Sequence, residues 1–276
     1  MFPFERHEII LESCRNAKSV SIRELLDLTG CSLSTLRRDI DHLTHDGQIR
    51  KLRGGISCLE KLESKGNLLY EQRMRHFSRE KEAVGIAAQE YIQDGDILVL
   101  LYGTTTIQVA RHIDPNKNIT LITNGIDVVF ELRNKPNVKV IVLGGIVNYS
   151  NNCIEGPTVQ KMLQEFNPSK IILGAGGITE KNGITNYEFL GATLVTEIVK
   201  LVENRIVVAD HSKFGRDVLT NVMPFRDVSA FVTDSGISKE YIDIIEKYSI
   251  EYKISDTTDL APASALKGVS PSGSRI

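Results

Sequence analysis

After the apolar run Leu98-Val99-Leu100-Leu101 the chain continues Tyr102-Gly103-Thr104-Thr105-Thr106. A strand entering a glycine–threonine turn and then a helix brings backbone amides and hydroxyls together at a helix start, an arrangement that favours an anion. Four more strand-sized runs end in small or polar residues: Thr123-Asn124-Gly125, Gly144-Gly145, Gly174-Ala175-Gly176-Gly177 and Asp210-His211-Ser212-Lys213-Phe214-Gly215. Lys213 offers a cation, Asp210 and Glu188 accept hydroxyl protons, and Asn124 both donates and accepts. Together they suit a phosphate carrying several hydroxyls. Each is ordinary by itself: glycines after strands usually turn the chain, a loop lysine is usually solvated, Asp210 caps its turn, and Glu188 sits on a helix surface. Recurrence at five strand ends marks the site.

A second set of chemistry-bearing residues lies near the N-terminus. Ser32 opens a stretch in which Leu33, Leu36, Ile40 and Leu43 follow at spacings of 3, 4 and 3, an inward stripe at helical period. Ser34, Thr35, Arg37 and Arg38 fall on the other face, near the start of that helix. Arginine reads guanine bidentately or holds phosphate, and hydroxyls reach either target. Asp46-Gly47 closes the helix, and Gln48 to Gly55 form a short basic β-wing in which Arg50, Lys51 and Arg53 meet phosphates. Over 37–53 five basic residues stand against three acidic, an excess of two, so placement rather than charge carries this reading. The plain alternative is a small helical lobe with solvated arginines.

The elements that position these residues are legible in the periodicity. Ser21-Ile22-Arg23-Glu24 reads as a capping box before a helix burying Ile22, Leu25, Leu26 and Leu28, which Gly30 terminates in a left-handed conformation. With Ser32 as the next N-cap, the unit is helix, glycine turn, helix. Ser78 is placed as the cap of a helix running to Ile92, with Val84, Ala87, Ala88 and Tyr91 on one face. Strands are expected at 97–101, 119–123, 138–143, 170–173, 205–209, 230–233 and 251–254, with helices near 105–113, 125–134, 157–166, 187–201 and 239–247. Apolar on both faces and alternating with helices, these strands predict an open, largely parallel sheet covered on both sides. The expected organisation is a winged helix-turn-helix domain over 1–57, a linker over 58–77, an α/β domain over 78–255, and a disordered tail over 256–276.

Composition narrows the classes. The 276 residues are 41% hydrophobic and 25% charged, ordinary for a globular chain, and the net charge is −2. That balance gives no support to a polybasic nucleic-acid binder, so a DNA-binding reading rests on local placement of charge. Apolar runs are strand-sized, so no membrane partner is expected. The N-terminus lacks a secretion signal, and Cys14, Cys31, Cys58 and Cys153 are scattered without a CxxC pair. A cytoplasmic protein without zinc, disulfides or cofactor is expected.

Ser32, Thr35, Arg37-Arg38-Asp39, Gly47 and Arg53-Gly54-Gly55 together resemble the pattern of the DeoR family of bacterial transcriptional regulators. Gly103-Thr104-Thr105-Thr106, Thr123-Asn124, Leu143-Gly144-Gly145, Gly183-Ile184-Thr185 and Asp210 to Gly215 are similar to that family's C-terminal sensor domain. The resemblance implies a ribose-phosphate-isomerase-like α/β fold, an effector-sensing and oligomerisation role for the domain over 78–255, a phosphorylated sugar or similar effector, operator DNA as partner, and a homodimer or homotetramer. One departure stands out. Where the family usually carries Asp-Ser before the Gly-Thr-Thr turn, this chain has Leu101-Tyr102. Tyr102 then narrows the pocket, alters the ligand or leaves the domain unresponsive. The alternative from another class is a sugar-phosphate isomerase-like enzyme in which Asp210, Glu188 and Lys213 transfer protons.

Overall fold

A computed structural model describes residues 3–16, 20–45, 49–52, 54–58 and 70–260. The chain divides into two compact units, Met1–Gly66 and Asn67–Ile276. The tail beyond residue 260 and most of the expected linker lie outside the described residues.

The first unit is built from α1 (Pro3–Asn16), β1 (Val20–Ser21), α2 (Ile22–Thr29), α3 (Leu33–His45), β2 (Ile49–Leu52) and β3 (Gly55–Cys58). Its three strands form an antiparallel sheet in the order β1-β3-β2. The capping box is present: the Glu24 amide donates to Ser21 Oγ at 3.2 Å and the Ser21 amide to Glu24 Oε2 at 2.8 Å. Gly30 ends α2 at φ 61°. Ile10, Cys14, Leu25, Leu36, Ile40, Leu43, Ile49 and Ile56 make the core. Two residues of the expected stripes depart from it. Leu28 is 53% and Leu33 42% exposed. With Val20, nine buried apolar residues make this core among the described residues, Ile10 and Cys14 coming from α1.

The second unit opens with α4 (Tyr70–Arg75), inside the stretch read as linker; Tyr70 and Met74 pack on the core. Then come α5 (Ser78–Ala87), β4 (Ile97–Leu100), α6 (Thr106–His112), β5 (Ile119–Thr123), α7 (Ile126–Leu132), β6 (Val138–Val142), β7 (Ile146–Asn148), β8 (Cys153–Glu155) and α8 (Pro157–Leu163). The rest is β9 (Lys170–Gly174), β10 (Gly177–Thr179), β11 (Gly183–Asn186), α9 (Phe189–Leu201), β12 (Asn204–Val208), β13 (Thr220–Met223), β14 (Ala230–Asp234), α10 (Lys239–Lys247) and β15 (Glu251–Ser255). Ser78 is not the cap expected: Phe77, at φ 53°, takes that position without a side-chain bond, and the helix gives way to a 3₁₀ turn at Ala88–Tyr91.

Seven strands pair in parallel in the order β15-β14-β12-β9-β4-β5-β6. Alternate residues feed opposite faces: Val99, Ile171, Val207 and Phe231 enter one apolar cluster, while Leu98, Leu100, Ile172, Ile206 and Val232 enter the other. Each buried aliphatic side chain contributes roughly 1.5–3 kcal/mol, so the doubly apolar strands are what commits the chain to covering both faces. The sheet grows from β4 outward to β5 and β6, then crosses back to β9 and continues to β15. The order therefore reverses between β4 and β9. An antiparallel sheet, β10-β11-β13, and the β7-β8 hairpin complete the unit; their strands are short, carry little periodicity and were not expected from the sequence.

Candidate functional site

On α3 the residues expected to meet DNA divide cleanly from those that hold the helix. Leu36, Asp39, Ile40 and Leu43 are buried, whereas Ser32, Ser34, Arg37 and Arg38 are exposed and Thr35 is half-buried. Ser32 Oγ accepts from the Thr35 amide at 3.2 Å and lies 2.9 and 2.8 Å from the Ser34 and Thr35 hydroxyls, so the three hydroxyls form one patch at the helix start. Asp39 points inward and accepts from Arg6 Nε at 2.7 Å, with His7 Nε2 at 3.1 Å. That bond ties α3 to α1 and sets which face the two arginines leave in solvent. Burial alone would raise the Asp39 carboxyl; the hydrogen bonds from Arg6 and His7 outweigh it and hold the group below the usual carboxylate range. Arg50 and Lys51 lie in β2 of the wing, and Lys51 pairs with Asp41 at the surface, a contact weak enough to be exchanged for phosphate. Arg53 and the Asp46-Gly47 helix end lie outside the described residues.

In the second unit a crevice opens beyond the carboxyl ends of β4 and β9, where the strand order reverses and ligands of open parallel sheets collect. Gly103, Thr104, Thr105, Gly176 and Lys213 line it, as the sequence suggested. Six other expected residues do not. Thr106 is fully buried and donates to the Gly103 carbonyl at 2.9 Å, closing the turn. Asn124 is also fully buried; it accepts from the Tyr102 amide at 3.1 Å and donates to the Ile154 carbonyl at 2.9 Å, stitching three segments together. Gly144 and Gly145 follow the edge strand β6, two strands from the reversal. Glu188 accepts from Asn151 Nδ2 at 2.6 Å. Asp210 is fully buried, with Oδ1 taken by the Ser212 amide at 3.1 Å and by the Ser212 hydroxyl. Gly144 and Gly145 are too far from the reversal, whereas Thr106 and Asp210 follow strands that reach it and are kept out of the crevice by burial. The loop after β4 leads into α6, a helix of only seven residues, so the dipole expected to draw an anion there is small and side-chain cations matter more.

The structure supplies such a cation that the sequence reading passed over. Arg73, from α4, lines the crevice with Tyr102, Asn186, Tyr187 and Val195. Its guanidinium lies 5.6 Å from the Tyr70 ring and 5.9 Å from the Tyr187 ring and bonds Asn151 Oδ1. Arg73 Nε is buried without a hydrogen-bond partner. The only hint was Arg73 itself within a charged, weakly periodic stretch that read as connector. Tyr102 takes the centre: burial pushes its phenol upward, with a further push from Cys153 and Glu188, while Asn186 hydrogen-bonds it. Beneath the site Lys81 is buried and donates to the carbonyls of Arg73 and His76, anchoring the end of α4. Burial brings its ammonium down to about 8, against the pull of Asp210.

Residues 6–62 match the family model of the DeoR-like helix-turn-helix domain, and residues 76–235 that of the DeoR C-terminal sensor domain. The HTH-type transcriptional regulator IolR of Bacillus subtilis is 30% identical over 84% of this chain and 91% of its own length. The transcriptional repressor AccR of Agrobacterium fabrum is 30% identical over 91% of this chain and 97% of its own. A solved ribose 5-phosphate isomerase A from Methanocaldococcus jannaschii aligns at 15% identity and TM-score 0.35, over 49% of this chain and 53% of that one. The parallel sheet and the sensor-domain match carry the fold assignment, not that alignment. An exposed arginine pair on a core-anchored helix, a strand-end crevice and matches across both units converge: the chain belongs to the DeoR family of helix-turn-helix transcriptional regulators, which work by binding DNA, and the isomerase alternative is set aside.

Proposed function

We propose that the protein is a cytoplasmic repressor of a carbohydrate-metabolism operon that binds double-stranded operator DNA as a homodimer or homotetramer and is released by a phosphorylated sugar or related metabolite. The observation that carries this reading is the split face of α3: Asp39, Leu36, Ile40 and Leu43 lock one side into the core while Ser32, Ser34, Arg37 and Arg38 remain in solvent. Such a helix presents its first turns to a major groove, with phosphate contacts from the wing. A symmetric oligomer would place two such helices on repeated half-sites. The relative AccR carries the repressor sense in its name. For the effector, Arg73 and Lys213 beside the Gly103-Thr104-Thr105 turn favour an anionic group. Coupling between crevice and DNA in such switches amounts to roughly 1–3 kcal/mol.

The test is selection of bound duplexes from a random pool with the purified chain, followed by titration of phosphorylated metabolites into the complex. A discrete recognition sequence whose affinity falls about 5- to 150-fold on addition of a metabolite is expected. Recovery of no preferred sequence would overturn the regulator reading.

A further inference from the structure

A quarter of the chain is charged, yet no residue from Val140 to Ile154 carries a charge. Within that stretch Val142, Ile146, Val147 and Tyr149 are exposed, Ile146 at 69% and Tyr149 at 84%. Four of the ten large apolar side chains exposed in the second unit, among the described residues, thus fall within eight positions. Exposed apolar residues are ordinary when single; gathered together they mark a contact surface.

The fold keeps them in solvent. β8 is tied to the body: Cys153 is buried, the Ile154 amide donates to the Asn124 carbonyl at 2.8 Å, and the Ile126 amide to that of Asn152 at 2.9 Å. Among the described residues β7 pairs only with β8, so it is the outer strand of the hairpin. Successive strand residues point to opposite faces, and Ile146 and Val147 are both exposed, so both faces of β7 meet water. A two-stranded hairpin is marginal in water by itself, and an uncovered apolar outer strand adds to that cost.

The two edges of the large sheet differ in the same sense. On β15, Lys253 pairs with Glu90 at 2.7 Å and Glu251 accepts from Tyr91 at 2.8 Å, so charge guards that edge. β6, which leads into the hairpin, has Lys139 as its one charge, followed by Val140, Ile141 and Val142.

Charge decides what covers the hairpin. Near a twofold axis each residue meets its own copy, and any charge there faces a like charge at a cost. A stretch without charge escapes that cost and is complementary to itself. The area fits as well: Tyr149, an aromatic of about 150–250 Å², together with Val142, Ile146 and Val147 provides roughly half of the about 800 Å² that each partner contributes to a standard interface.

We propose that the outer strand and tip of the β7–β8 hairpin form a twofold interface with a second copy of this chain. This rests on the proposed self-association and gives it a surface.

Sedimentation velocity of the full chain over a range of concentrations tests it. The unaltered chain should be an oligomer, and Ile146→Lys combined with Tyr149→Lys should halve its mass at equal concentration. Because each change occurs twice about the axis, self-association should weaken roughly a hundredfold or more. Leu219→Lys, which charges an apolar residue of similar exposure elsewhere on the unit, should leave the mass unchanged. Hydrogen exchange of the unaltered chain gives a reading free of any folding defect in the variant: amides at 145–150 should exchange more slowly as concentration rises through the association transition. An oligomer of the same mass in the double variant, equal dissociation by Leu219→Lys, or exchange at 145–150 independent of concentration through that transition would each overturn the proposal while leaving self-association standing. An unaltered chain that stays monomeric at every concentration would overturn both.

Discussion

Alanine at Gly85 sets two effects against each other. Gly85 lies in α5 where that helix crosses α6, and an added Cβ would stand 2.6 Å from both the carbonyl carbon and the Cβ of Gln108, and 2.8 Å from its oxygen. Carbon atoms rest at about 3.5–4.0 Å, so the helices must part by roughly 1 Å. Overpacking of this kind costs about 1–3 kcal/mol. Alanine returns about 0.8–1.0 kcal/mol through its helix propensity. The difference is a loss of about 1 kcal/mol, because the clash is with backbone that cannot rotate away. Thermal unfolding followed by circular dichroism should show the transition fall by about 2–4 °C, the scale for a unit of this size. The same displacement moves α6, whose N-terminal end joins the Gly103-Thr104-Thr105 turn, so binding of the phosphorylated metabolite that releases the DNA should also weaken. A Gly85→Ala protein that is more stable than its parent, with ligand affinity unchanged, would refute the reasoning that this crossing limits the position of the turn.

Other consequences follow from the named contacts. Arg37→Ala combined with Arg38→Ala should abolish selective operator binding without changing the circular dichroism; if both arginines meet phosphate, the slope of log affinity against log salt shrinks by about 2, and an unchanged slope would remove them from the groove. Asp39, held below the usual carboxylate range, contributes stability that is fully present above the unfolded value near 4 and is lost as pH falls through the lower folded value. Asp39→Asn should therefore flatten the acid limb of a melting-temperature profile of the first unit, and an identical limb would argue against the bond to Arg6. Lys81 behaves with the opposite sense. Below about 8 both states are charged and the folded chain bears the burial cost; as pH rises from about 8 towards 10.5 the folded lysine loses its proton first, so stability climbs. In Lys81→Met that climb, read by urea unfolding at stepped pH, should disappear. The same variant leaves the carbonyls of Arg73 and His76 short of a donor and should cost about 1–3 kcal/mol at neutral pH.

Local signals determined much of this protein. Ser21, Glu24 and Gly30 announced the boundaries of α2 because caps act through bonds three or four residues away, and Ser32 with Leu36, Ile40 and Leu43 announced α3 for the same reason. The seven core strands were visible as runs apolar on both faces, a property that each carries in its own residues. Leu33 was misjudged: spacing tells which face a residue is on, but only the neighbouring helix α1 tells how wide the core is. The crevice depended still more on the whole fold. Five strand ends looked equivalent in the sequence, yet strand order, a relation among segments distant along the chain, brings only those around the β4–β9 reversal to one place. Asn124 was consumed by buried bonds, Asp210 was buried behind its own turn, and Arg73 was delivered from a stretch with no periodicity of its own. Short-range chemistry can be read residue by residue; which side chains share a cavity is decided by strand order and by the hydrogen bonds that burial compels.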